Sequence, residues 1–194
     1  MIVLALGGGG IAGASDAASS ASSTSEVALV YEADWTDGIS GWAGGTGWKT
    51  LNGVLLNDGT GGSGGFNTIY ADFEPRPTAD NAVEAEIRVL RDGFGGFGLV
   101  TRDGWYIAGV RWNEGTGIWY GGDESKIASA AGFDHGGEWH TYRVEAKGNV
   151  IRFLVDDAVL AEVTDNRYLE GGQVGLWSNS ETQLEIRSFK VFAL

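Results

Sequence analysis

The chain contains no cysteine, which removes disulfides, thiolate metal centres and cysteine nucleophiles together. Histidine occurs only at His135 and His140, too few for a three-histidine zinc site. Proline occurs twice. The 33 glycines among 194 residues, more than double the usual share of ~7%, therefore fit neither a collagen-like nor a proline-rich disordered chain. Basic residues are scarce as well: 13 Lys and Arg face 26 Asp and Glu. The resulting net charge of −13 opposes sequence-independent attraction to nucleic acid or anionic lipid, so no nucleic-acid partner is expected. What the chain does have is 43% hydrophobic residues and 8 Trp, enough for a packed core in one domain.

The first 14 residues, MIVLALGGGGIAGA, are apolar and end in the small-x-small pattern Ala12-Gly13-Ala14. That ending is typical of a secretory signal, although the basic n-region is missing. A stretch of this length is short of the ~20 residues that span a bilayer as a helix. Ser15 to Ser25 holds only Ala, Ser and Thr apart from Asp16 and reads as a flexible linker. These features predict a secreted or cell-surface protein, with residues 1–27 as a signal-like segment plus linker and 28–194 as the folded domain. A retained apolar segment would instead offer a contact for protein partners.

From Ala28 onward apolar residues recur at period two, with breaks at Gly, Asn and Asp every 8–12 residues. Clear strands are expected at Ala82–Leu90, Phe97–Arg102, Trp105–Trp112, Trp139–Ala146, Val150–Val155, Val159–Val163, Val174–Ser178 and Leu184–Phe192. In the first, Val83, Ala85, Ile87 and Val89 share one face and Glu84, Glu86 and Arg88 the other. Asn52-Gly53, Asp157-Ala158 and Gly148-Asn149 read as hairpin turns. About a dozen strands with no amphipathic helix predict an all-β fold, an antiparallel two-sheet β-sandwich of jelly-roll type. Trp139, Phe153, Val155 and Trp177 are expected in its core.

Certain stretches resemble a known superfamily. They are Asp34-Trp35 with Gly41-Trp42, then Trp48 with Gly53-Val54-Leu55, the run Glu138 to Glu145 (EWHTYRVE), the run Ile151 to Asp157 (IRFLVDD) and Gly172 to Trp177 (GQVGLW). Over Val30 to Leu194 the chain is similar to the concanavalin A-like lectins and glucanases, in particular the laminin G-like and 3-keto-disaccharide hydrolase-like domains. The resemblance implies the sandwich fold; function is not implied by it alone, because this scaffold carries lectins, hydrolases, lyases and structural modules.

Gly93 to Val100 (GFGGFGLV) matches the dinucleotide and kinase glycine-loop patterns as text, but a strand follows where a phosphate-binding helix is required, so it reads as a glycine-rich hairpin turn. Gly61 to Gly65 (GGSGG) matches G-x-S-x-G without the helix of a nucleophile elbow. Glu84 and Glu86, about 6.5–7 Å apart on one strand face, are the best paired carboxylates for glycoside chemistry. The laminarinase-type pattern E-x-D-x-E is incomplete here, with Arg88 in place of the last acid. Against the keto-disaccharide pattern, Arg102 and Tyr106 match while both polar positions of the following strand are lost. Arg88 is expected to keep a neighbouring Glu ionised and unfit as a proton donor.

The densest aromatic and polar segment runs from Arg102 to Glu124. Arg102, Tyr106, Arg111, Trp112, Trp119, Tyr120, Asp123 and Glu124 are the expected ligand-binding residues, since sugar rings stack on Trp and Tyr while charged rims hold the hydroxyls. No cofactor is required. Calcium stays open through the loop acids near Asn57-Asp58 or Asp123-Glu124, and neither loop shows a regular oxygen-ligand spacing. The leading expectation is an exported, non-catalytic carbohydrate-binding sandwich with a glycan or polysaccharide as partner. A structural subunit of an extracellular or membrane-associated assembly and a glycoside hydrolase or lyase are the alternatives.

Overall fold

The computed structural model describes residues 27–61, 67–93, 95–130 and 132–194. The signal-like segment, the Ala/Ser/Thr linker and most of the G-x-S-x-G stretch, and with them any contact to protein partners through the N-terminus, lie outside these residues. Among the described residues all regular structure is strand. In chain order the strands are β1 (Ala28–Ala33), β2 (Trp42–Gly44), β3 (Trp48–Leu51), β4 (Val54–Asn57), β5 (Asn67–Ala71), β6 (Asn81–Arg91), β7 (Phe97–Thr101) and β8 (Tyr106–Arg111). They continue as β9 (Gly115–Tyr120), β10 (Ser125–Ser129), β11 (Trp139–Lys147), β12 (Val150–Val155), β13 (Ala158–Thr164), β14 (Gly175–Ser178) and β15 (Gln183–Ala193).

They form two antiparallel sheets. One runs β13-β12-β11-β6-β15-β4-β3, with β1 also paired to β15, and the other runs β10-β9-β8-β7-β14-β5-β2. The core lies between them because alternation puts one side of every strand inward. From β6 come Val83, Ala85, Ile87 and Val89, from β11 Tyr142, Val144 and Ala146, and from β12 Ile151, Phe153 and Val155. The opposing sheet supplies Phe97, Leu99, Tyr106, Ala108, Val110, Ile118 and Leu176. Each Val, Leu, Ile or Phe among them contributes about 1.5–3 kcal/mol relative to exposure. In β15 a bulge between Ile186 and Ser188 shifts the register, so Leu184, Ile186, Phe189 and Val191 all stay buried despite the broken alternation.

Four local expectations are corrected. Trp139 is not core: Tyr142 and Val144 set the inward phase of β11, which leaves Trp139 outward and partly exposed between Arg88 and Arg187. Trp177 is buried, but Leu176 takes the inward position of β14 and Trp177 faces the outside of its sheet. The β12–β13 turn centres on Asp156 and Asp157, both at positive φ, rather than on Asp157-Ala158. The glycine-rich stretch after β6 is not a hairpin turn, because β6 and β7 belong to different sheets and the segment carries the chain across the sandwich. Asn52 and Gly53 both adopt positive φ, as a tight hairpin turn between β3 and β4 requires.

Candidate functional site

The outward face of the seven-stranded sheet is built from the residues that alternate with the core set. Tyr70, Gly175, Val100, Ile107 and Trp119 lie in one cross-strand row, and Thr68, Trp177, Gly98, Gly109 and Gly117 in the next. The glycines are required by close backbone approach: a Cβ on Gly109 would lie 2.1 Å from the Phe97 carbonyl oxygen, and one on Gly117 2.2 Å from that of Ala128. They also leave an open trough, and Arg111 occupies it. Its guanidinium carbon sits 4.7 Å from the Trp119 ring centroid and 5.1 Å from that of Trp177. Arg111 Nη1 donates to Glu114 Oε1 at 3.4 Å, and Glu114 Oε2 accepts from Trp119 Nε1 at 2.8 Å. The Trp119 indole is the main influence holding the Glu114 carboxyl below the usual range, with Arg111 adding to it. Arg111 Nε and Nη2 are buried without hydrogen-bond partners, so this cation is held by ring faces and one carboxylate.

Beside the Trp177 ring the face opens into a cavity of about 240 Å³. Val100 and Ile107 line it from the central strands, Thr68 and Tyr70 from β5, and Trp177 from β14. Gly104 closes it from the β7–β8 turn, with Gly121 and Glu124 from the β9–β10 turn. Glu124 is exposed and its backbone is at positive φ. Burial first, and the charge of Asp103 second, push the Tyr70 phenol upward. An aliphatic floor, aromatic walls and one rim carboxylate can hold a small polar ring by apolar contact on its faces and hydrogen bonds at its edge.

The expected binding residues do not converge on one ligand surface. Arg102 is fully buried and donates to the carbonyl oxygens of Ala79, Tyr168 and Gly148, pinning three segments together. Tyr106 points inward and its hydroxyl donates to Asp165 Oδ1 at 3.2 Å. Neither presents a surface to a ligand, which corrects the expectation for both. Tyr120 stacks on Trp105 at 5.5 Å and carries the Arg167 guanidinium 3.8 Å from its ring centroid, while Tyr168 covers Trp105 at 5.4 Å. These faces are occupied by one another. Trp112 packs toward His135 and Phe97. Asp123 accepts from the Ser125 amide and lies 3.8 Å from Arg167. Arg111 and Trp119 adjoin the cavity, and Glu124 lines it.

Thr68, Tyr70, Val100, Ile107 and Trp177 were missed by reading the sequence. Alternation carried the signal for Trp177, since the apolar Leu176 beside it could take only one side.

Glu84 and Glu86 lie outward on the other sheet and are engaged separately. Glu84 Oε2 accepts from Arg143 at 3.0 Å, and Glu86 pairs with Arg187. Arg88, expected to act on these acids, instead pairs with Glu185, donating from Nε at 2.9 Å. Among the described residues no three His, Asp or Glu side chains converge as a metal site. At the loops considered for calcium, Asp58 accepts from Thr60 and Lys49, and Asp123 is held as described. Those donor sets do not fit a calcium cradle.

No protein-family model matches the chain, and no curated protein matches it in sequence. Solved structures do. The carbohydrate-binding module CBM66 from Bacillus subtilis is 22% identical at a TM-score of 0.58, covering 76% of this chain and 92% of that one. Domain 4 of AbnA, a GH43 extracellular arabinanase from Geobacillus stearothermophilus, solved with arabinotriose, is 10% identical at 0.62, covering 87% and 93%. The exoplasmic/lumenal domain of VIP36, bound to Ca2+ and Man3GlcNAc, is 11% identical at 0.63, covering 86% and 90%. The chain thus shares with these domains the fold of a two-sheet antiparallel β-sandwich.

Proposed function

We propose that the chain is an exported, non-catalytic carbohydrate-binding domain whose ligand sits in the cavity between Tyr70, Trp177 and Glu124. The observation that carries this reading is the cavity itself: an aliphatic and aromatic lining under a solvent-facing carboxylate, on a sheet face otherwise closed by its own side chains. The carbohydrate-binding module, the arabinotriose-bound domain and the VIP36 domain support a glycan as the ligand class, and the extracellular arabinanase and the exoplasmic/lumenal VIP36 domain support export. Glu124 accepts hydrogen bonds from sugar hydroxyls, and the Tyr70 ring packs on the apolar C–H face. A catalytic role is disfavoured because Glu84 and Glu86 are engaged separately, by Arg143 and by Arg187, whereas glycoside cleavage needs two carboxyl groups facing one bond, one as proton donor and one as base or nucleophile.

The test is calorimetric titration with neutral oligosaccharides alongside an assay for reducing-end release. Tyr70→Ala is expected to weaken binding by about 1–2 kcal/mol, roughly five- to thirtyfold, without altering the fold. Turnover that vanishes in Glu84→Gln or Glu86→Gln would overturn the proposal. Failure to bind any glycan would do the same.

A further inference from the structure

We infer that the cavity selects its sugar by charge, favouring one with a protonated amine over its neutral counterpart and rejecting a uronate; this rests on the glycan reading of the same cavity. The charges surrounding it are distributed unevenly. Glu124 on the rim has no hydrogen-bond or ion-pair partner among the described residues. A second carboxylate, Asp103, lies close enough to act on the Tyr70 phenol. No Lys, Arg or His lines the cavity.

The neighbouring cations are already committed. Arg111 lies against the Trp177 ring with Nη1 toward Glu114, and Lys126 donates to the Glu114 carbonyl oxygen while covering Trp119. Arg167 is held by Asp165 and faces Asp123. Arg102 points to the opposite side of the sheet, into the interior. Negative potential at the rim is therefore not cancelled locally, and the aromatic wall of Tyr70 adds attraction for an ammonium group. A carboxylate-bearing sugar meets Glu124 at the rim as a like charge, and Asp103, held by the Tyr168 hydroxyl and the Gln173 amide outside the lining, adds to the negative potential there.

The chain's net charge of −13 attracts any cationic ligand at long range, so the local effect has to be separated from the global one. Short oligomers of glucosamine, glucose and glucuronate are titrated at pH 5.5 into the wild type, Glu124→Gln and Glu138→Gln. Both variants remove one negative charge, and Glu138 lies in the exposed turn before β11, outside the cavity lining. The expected result is glucosamine binding ~3–10-fold tighter than glucose in the wild type and in Glu138→Gln, with the preference lost in Glu124→Gln. It should also collapse towards parity in 1 M salt, where the screening length is about 3 Å. Equal binding of the amine and neutral oligomers, a preference that survives in Glu124→Gln, or tighter uronate binding overturns the charge inference while leaving the glycan proposal standing. Absence of binding by all three oligomers, and by other neutral glycans, overturns both.

Discussion

The outward face of the eight-stranded sheet carries charge in every row and neutralises it in place. Arg143 pairs with Glu84 and Glu145, Arg152 with Glu162, Arg88 with Glu185, Arg187 with Glu86 and Lys190 with Glu32. The outward face of the seven-stranded sheet follows the opposite plan. Its strands present glycines, Val100, Ile107 and two buried indoles; Arg111, Glu114 and Lys126 engage one another and the indoles, and Glu124 on the rim is unpaired among the described residues. Both faces come from the same antiparallel alternation, so the contrast is one of side-chain chemistry. An alternating charge ladder needs nothing from outside and suits a solvated surface. A largely apolar face with a cavity and an unpaired rim carboxylate suits the ligand proposed above.

One residue type occurs on both faces and separates them most strongly. Trp177 is 2% exposed, packed with Val100 and Ile107 beneath the Arg111 guanidinium. Trp139 is partly exposed between two arginines. Trp177→Ala is expected to cost about 3–5 kcal/mol in denaturant unfolding, and Trp139→Ala about 1 kcal/mol. Equal losses would break the distinction, because the outer layer of the seven-stranded sheet would then be no better packed than its counterpart.

An ion pair between the buried Asp165 and the exposed Arg167, in the segment after β13, offers a reference for those on the charge ladder. Asp165 Oδ2 accepts from Arg167 Nε at 2.8 Å, its Oδ1 accepts from the Arg167 amide at 2.8 Å, and the Tyr106 hydroxyl reaches Oδ1 as well. The Arg167 side-chain bonds, ahead of all other influences, hold the Asp165 carboxyl below its ordinary range. A depressed folded-state pKa means that its stabilisation is fully present above the unfolded value of about 3.9 and is lost as pH falls through the folded one. Asp165→Asn should cost about 1.5–3 kcal/mol at pH 7 and flatten the loss of stability below about pH 4. An acid limb unchanged in the variant would show that Asp165 is not the group responsible.

Arg111 is the strongest test of whether the seven-stranded face is built for stability. Its Nε and Nη2 are desolvated without partners, while Glu114 keeps its bond from Trp119 if the guanidinium is removed. Removing one partner of a buried ion pair is costly when it strands the other charge, but the Glu114 side chain is 39% exposed and stays solvated, whereas Arg111 regains nothing for its own desolvation. Arg111→Met is therefore expected to leave the unfolding midpoint unchanged or raise it, by up to about 1–2 kcal/mol. A loss above ~2 kcal/mol would identify Arg111 as a structural clamp and bring the two faces closer in kind.

The fold was legible because period-two patterning survives along β6, β7, β11 and β12, and a buried inner face permits only one phase. That rule would also have placed Trp139 outward and Trp177 on the outer side of its strand, had Tyr142 and Leu176 been used to set the phase. The site was only partly legible. Glu124 and the neighbouring Arg111 and Trp119 fall in the aromatic segment that composition marks, but Thr68, Tyr70 and Trp177 come from β5 and β14, brought beside β7 by non-local pairing. Local density of aromatics also misled, because Trp105, Tyr120 and Tyr168 use their ring faces on one another. Arg102 could not be distinguished from a ligand-binding arginine in sequence, since its partners are backbone carbonyls from three distant segments.

The smallest effect is expected on the charge ladder, where Glu86 meets Arg187 across neighbouring strands. The Arg187 side chain is 49% exposed and that of Glu86 26%, so water and salt screen the pair. Holding two long side chains in one geometry also costs rotamer entropy. A double-mutant cycle with Glu86→Gln and Arg187→Gln should give a coupling of about 0.2–1 kcal/mol at low salt, falling further at 1 M salt. Arg187 also covers Trp139, so its single variant should lose more than that of Glu86, the excess measuring ring contact rather than ion pairing. A coupling above ~2 kcal/mol, insensitive to salt, would mean that the ladder acts as a rigid network and that the eight-stranded face is as specifically built as the one bearing the cavity.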